Sequence, residues 1–318
     1  MGIKHTYQSG TANNGASEVS STRWNADHTV DGPVPIAQTA AGTAPTAPSA
    51  GNTTLFARSF GGFGMLGAAD TSGETHLFQP LLADGAAIIW VPLAGSTTIT
   101  AIGGSAPTAT GTATAVSLAT TNRFTRMKRV AALVTVAATT AVAGFRHALA
   151  PVTIGGGAAG DGGFFFVQRW GPSTGVATTT NRAFCGMQAS TGAPTDVEPS
   201  TIVNHIGMGW DAADTNIQFM RKDATTTTKI DLGASFPVPT ADNTKAYELV
   251  MWSPPGTTQS VTYQITDLIS GAVATGTVTT LLPAVTTFLA PSVWMSVGGT
   301  SSVIGVVMMS LYLAIGGV

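Results

Sequence analysis

From about Ser96 to the C-terminus the chain breaks into runs of strand length divided by turn residues, and this spacing constrains the fold more than any single motif. TTITAIG, TATAVSLA, RVAALVTVA, GFRHALA, GGFFFVQRW, RAFCGMQ, STIVNHIGMGW, TNIQFMRK, KAYELVMWS, SVTYQITDL and VIGVVMMSLYL are eleven candidate strands in about 220 residues, the density of a β-sandwich. In Ser260 to Leu268, Val261, Tyr263 and Ile265 alternate with Thr262, Gln264 and Thr266, which puts one face in a core and the other in solvent. Tyr247, Leu249 and Met251 alternate with Ala246, Glu248, Val250 and Trp252, so both faces are largely apolar and this strand belongs deeper in a sheet. Pro254 and Pro255 cannot extend a ladder, so SPPGTTQ joins the two as a hairpin. GWDAADTN is a second hairpin loop. Helices are nearly absent, because the Ala-rich stretches are interleaved with Thr, Val and Gly.

The rest divides around that body. Residues 1–50 form an arm: a polar, turn-rich segment followed by Pro/Ala/Thr linker composition, with too few apolar residues for a core of its own. Residues 51–95 hold TLFARSF, GGFGMLG, HLFQPLL and AAIIWVPL, the makings of a small β-rich connector, and residues 96–318 are the sandwich. The most apolar run, Val303 to Val318, is 16 residues rich in Val, Ile and Gly and interrupted by Ser310, short of the roughly 20 that a membrane helix needs, so a buried strand or two and no membrane insertion is expected. No export signal is expected at the start, which holds Lys4, His5, Tyr7 and Gln8.

Charged residues make up 9% of the chain, against about 25% in ordinary domains, and the net charge is −2. So weak a field gives no means of steering nucleic acid. A surface this poor in charge is wetted by Thr, Ser, Asn and Gln or hidden in an assembly. Cys185 is the single cysteine, which excludes an internal disulfide and a cysteine-based zinc site.

Catalytic patterns match by letter and fail by context. Gly62, Gly64 and Gly67 fit a dinucleotide loop, but no helix follows to receive a pyrophosphate. Gly171, Ser173 and Gly175 fit a nucleophile elbow, but VATTTNRAF reads as loop then strand. Met1, Gly2 and Thr6 match the myristoylation pattern by chance. His5, His28, His76, His147 and His205 have no metal-ligand spacing, and no cofactor is expected. Asp196, Glu198, Asp211, Asp214 and Glu248 could converge as an acid/base pair, though no spacing selects one. Arg123, Arg126, Lys128 and Arg129 are a candidate contact for an anionic surface; the plainer reading is a charged strand edge that discourages aggregation. Of Trp170, Trp210, Trp252 and Trp294, most are expected in the core, while an exposed ring could stack on a sugar.

The arm's SSTRWNADHTVDG, Ser20 to Gly32, resembles the WNADH segment of bacteriophage tail and fibre-type virion proteins. YELVMWSPPGTTQSVTYQITDLISGAVATGTVTT and LAPSVWMSVGGTSSVIGVVMMSLYL are similar to the last strands of concanavalin-like jelly rolls on such proteins. The resemblance implies an all-β antiparallel jelly-roll sandwich, lectin-like, preceded by a small β element and an extended arm. It also implies a non-enzymatic virion component, commonly a homotrimer, assembled in the bacterial host. Arg23, Trp24, Asn25, Asp27 and His28 would carry attachment to other phage tail or capsid proteins, and the sandwich would face a host-surface glycan. Where the pattern often reads W-x-S-N-G-G-T, this chain has Trp294, Ser296, Val297, Gly298, Gly299 and Thr300, so no sugar or metal role carries onto that loop. The rival readings are a capsid decoration or head-fibre protein and a virion-associated polysaccharide hydrolase.

Overall fold

The computed structural model describes residues 38–39, 48–50, 52–60, 63–69, 75–77, 87–158, 162–173, 180–239 and 244–316. Arg23, Trp24, Asn25, Asp27 and His28 lie outside them. Strands β1 (Gln38–Thr39), β2 (Thr54–Phe60), β3 (Phe63–Ala69) and β4 (Thr75–Leu77) form a small sheet in that order. Gly64 and Gly67 pair with Ser59 and Phe56 inside the β2–β3 hairpin, so the glycine pattern belongs to a strand rather than a phosphate loop.

The rest is a jelly-roll sandwich of two antiparallel sheets. One has seven strands, ordered β15 (Thr227–Asp231), β14 (Gln218–Lys222), β13 (His205–Trp210), β12 (Arg182–Gln188), β19 (Ala290–Ser296), β10 (Val142–Arg146) and β7 (Thr108–Thr110). The other has nine, running β18 (Val273–Val278), β17 (Val261–Asp267), β16 (Tyr247–Ser253), β11 (Phe164–Pro172) and β20 (Ser302–Ile315). The free side of β20 takes β5 (Ala87–Pro92), extended by β6 (Ile99–Ile102), at Leu311 to Ala314, and β9 (Val130–Ala138), extended by β8 (Thr112–Ala115), at Ser302 to Met308. The apolar C-terminal run is thus one long central strand, as its composition predicts. Residues 87–92 belong to the sandwich sheet, on the connector side of the boundary expected at 95/96; Trp90 carries them there, since its ring is fully enclosed in the main core.

Hydrophobic alternation sets the register. Val261, Tyr263, Ile265 and Asp267 point in and Thr262 and Gln264 out, and the strand pairs antiparallel with β16 across the Pro254–Pro255 loop. The inward side chains of both sheets make one core. At its middle Trp170 stacks on Trp210 with centroids 5.9 Å apart and lies 5.7 Å from the Tyr247 ring, while Phe219 stacks on Tyr263 at 3.8 Å. Trp170, Trp210 and Trp294 are buried and Trp252 is half-buried. Four sandwich strands lie outside the eleven candidate segments: β7, β15 and β18 are edge strands of Thr, Ala, Lys and Gly with little apolar alternation, and the buried central β19, like β18, is marked only by the jelly-roll resemblance.

Candidate functional site

The outer face of the seven-stranded sheet is roofed by residues 189–204, which connect β12 to β13. The sequence predicts a strand through Ser200–Ile202. Instead Pro199–Thr201 make a 3-10 turn, and Ile202 packs on Val142, Phe184 and Trp294 of the sheet below. Polar pins hold the roof down. Arg182 Nη1 donates to Asp196 Oδ1 at 3.0 Å and its Nη2 lies 2.9 Å from Glu198 Oε1. Ala212 N donates to Glu198 Oε2 at 2.9 Å and Ser200 N to Asp211 Oδ1 at 3.1 Å. Lys229 Nζ bridges Asp211 (3.0 Å) and Asp214 (2.6 Å), and Arg146 Nε donates to Thr191 O.

Gly298 and Gly299 supply a further grip. Both have positive φ, and a Cβ at Gly298 would lie 1.8 Å from Thr180 O, so only glycine fits there. Their successive N–H groups donate to the two oxygens of Asp196 at 3.0 and 2.9 Å. The loop that departs from the lectin-like pattern at Val297 therefore holds a carboxylate of its own chain.

Four of the five carboxylates singled out in the sequence thus meet at the roof, whereas Glu248 lies on the other sheet and pairs with Arg169 at 2.6 Å. Burial pushes Asp196 up, but the Ser296 hydroxyl, the Gly299 and Gly298 amides and Arg182 outweigh it and hold it below the ordinary value. Asp211 is likewise pushed up by burial and drawn lower by Ser200 and Lys229. A general acid needs the reverse, a carboxyl held protonated near neutrality. These carboxylates are structural pins. Replacing Asp196 by Ala leaves two glycine amides without their acceptor and is expected to destabilise the fold by about 1–3 kcal/mol, read as a lower urea midpoint at pH 7; an unchanged midpoint would remove it from this role.

Where the roof stops short of the sheet edge, a cleft of about 520 Å³ opens, lined by Thr110, Thr140, Val142, Pro194, Thr195 and Asp196. It is open to solvent rather than enclosed, and its walls offer hydroxyls, aliphatic surface and the Asp196 carboxylate. Deeper beneath the roof, His205 Nε2, Gln188 Oε1, Ser292 Oγ and Trp294 Nε1 are buried without a protein hydrogen-bond partner. Sequence reading could not find this cleft, because its lining comes from three separated stretches in which only Asp196 carries a signal. Among the described residues no three His, Cys, Asp or Glu side chains converge as a metal site. No helix there is long and apolar enough to cross a membrane.

The basic cluster divides. Arg123, Arg126 and Lys128 are exposed, but Arg129 is buried and its Nη1 donates to the carbonyls of Phe124, Thr125 and Met127. It closes the end of α1 (Arg123–Arg126), a one-turn helix whose Asn122 and Thr125 cap each other reciprocally. Nor is the following strand an edge, since β9 lies between β20 and β8. His147 is a buried structural group: its ring stacks on Trp90 at 5.8 Å, with Nε2 3.2 Å from Ser105 Oγ. Cys185 is buried, which pushes its thiol well up, away from reactivity.

No family model and no curated protein matches the sequence. Among solved structures, a protein of unknown function from Shewanella oneidensis aligns at 11% identity over 72% of this chain and 86% of its own, with a TM-score of 0.45. Peanut lectin aligns at 11% identity over 72% and 96%, with a TM-score of 0.44. The CBM2 module of the evolved Dit of Lactobacillus casei BL23 phage J-1 aligns at 15% identity over 55% of this chain and 70% of its own, with a TM-score of 0.33. At these identities and scores none of them lends this chain a ligand or an activity.

Proposed function

We propose that the protein is a bacteriophage virion component of tail-fibre or receptor-binding type, which docks through its arm and displays the sandwich for adhesion to a host-surface glycan. The observation that carries adhesion rather than chemistry is the state of the carboxylates. Each clustered acid is engaged by a cation or a backbone amide, while the open cleft bordered by Asp196 presents threonine hydroxyls and aliphatic walls that suit a sugar. The WNADH-like segment Ser20 to Gly32 supports attachment through the arm, and a homotrimer on the particle would let weak contacts by each copy add up.

Particles assembled with a chain lacking residues 1–32 are expected to contain none of this protein, while the truncated chain keeps the β-rich circular dichroism of the intact one. Normal incorporation would defeat the arm assignment. Antibody labelling of intact particles is expected at the tail; label on the capsid would favour the decoration or head-fibre reading. New reducing ends after incubation with host-envelope glycans would favour the hydrolase.

A further inference from the structure

The turn that leads into β9 crowds positive charge that the fold imposes and does not neutralise. Phe124 anchors it, packing with Val116 and Met127 against Ala131, Val307 and Met309 on the outer face of the nine-stranded sheet. The buried Arg129 guanidinium lies over the Phe124 ring, 4.6 Å from its centroid, while its Nη1 holds three carbonyls of the turn. Between these fixed points Arg123 and Arg126 stand three positions apart on α1, the spacing that brings two side chains to one face of a helical turn. Lys128 follows two positions later, and all three are exposed. Like charges at this spacing repel, and the first turn of α1 holds no acid. The neighbouring Lys245 and Arg169 are already paired, with Asp267 at 3.4 Å and Glu248 at 2.6 Å. Of the cations whose side chains are described, Arg123 and Lys128 alone meet neither a carboxylate nor a backbone carbonyl; Arg126 Nη2 donates to Thr120 O at 3.2 Å.

We infer that Arg123, Arg126 and Lys128 are a docking surface for a phosphate-bearing glycan, with the two guanidinium forks on one phosphate group. A phosphate monoester brings them three acceptor oxygens and nearly two charges, against two oxygens and one charge for a carboxylate. Other partners are served worse. A protein interface wants an apolar centre, and the apolar side chains of this turn are spent on its own sheet. A bilayer wants apolar side chains to insert, and Leu118 is the one large apolar residue exposed in 117–129. A nucleic acid finds no free ring on which to stack a base, since Phe124 is buried. A hydrophilic polymer asks only for charge and hydrogen bonds. The turn lies on the nine-stranded sheet and the cleft on the seven-stranded one, so this contact goes beyond the adhesion proposed for the cleft.

Surface plasmon resonance of the full chain in about 20 mM NaCl, where screening is weak, is expected to show binding to immobilised dextran phosphate. Carboxymethyl dextran of equal substitution and unmodified dextran should each be held at least about tenfold more weakly. About 500 mM NaCl should abolish the binding. Arg123→Gln and Arg126→Gln should each weaken it about fivefold and Lys128→Gln about threefold. Lys222→Gln removes the same charge from the other sheet and should change nothing, and all four variants should keep the circular dichroism of the parent. Equal affinity for the three dextrans, or an equal loss from Lys222→Gln, overturns the inference. Tighter binding to a DNA duplex or to phosphatidylglycerol vesicles, at equal phosphate concentration, overturns the glycan as the occupant. Neither result bears on the cleft, which the three turn substitutions do not touch.

Discussion

Taking the protein from pH 7 to pH 4 is expected to lower its folding stability by roughly 3 kcal/mol through His205. The side chain is fully buried at the end of the roof, its Nδ1–H donating to Ile202 O at 2.5 Å and its ring edge-on to Phe184. Burial, reinforced by Lys222, lowers its pKa from 6.5 to about 4, against the opposing pull of Ile202 O and Asp211. A base depressed in this way stays neutral in the fold and takes up its proton more readily unfolded. Its contribution is therefore complete above pH 6.5 and declines until the folded group titrates near pH 4. Asp196 and Asp211 act in the opposite window: their folded pKa values are depressed, so their contribution is intact above the ordinary 3.8 and fades only below it. The two losses are separable. His205→Asn keeps a donor for Ile202 O and cannot titrate, so its urea midpoint should hold nearly level between pH 7 and 4.5 while the parent's falls. Parallel curves would show that another group is responsible.

Trp170→Ala is expected to cost about 3–5 kcal/mol and to lower the midpoint of thermal unfolding by on the order of 10 °C. The indole is completely enclosed between Trp210 and Tyr247, where neighbouring backbone cannot close over the space left behind. Its N–H donates only to Met208 Sδ, at 3.4 Å, a weak acceptor. Trp170→Phe should therefore retain most of the stability, which separates lost ring volume from a lost hydrogen bond. Equal losses in the two variants would make that hydrogen bond the main contribution.

Strand identity was legible wherever a local rule is strong. The alternation of Val261, Tyr263 and Ile265 foretold the register of β17, and the doubly apolar β16 does lie between two partners. Short-range capping was not recognised: Asn122 and Thr125 nucleate one helical turn where charges beside an apolar strand suggest only an edge. At the candidate site the residue types were visible but their meeting was not, because Asp196 is held by amides 102 and 103 positions further along the chain.

Composition and periodicity by themselves determined that this chain forms antiparallel strands around one aromatic core, since side-chain alternation and turn residues act over a few positions. Only the tertiary structure decided which acids are neutralised and which face lies beneath a roof. Those properties depend on which distant strands become neighbours, and no local preference encodes that.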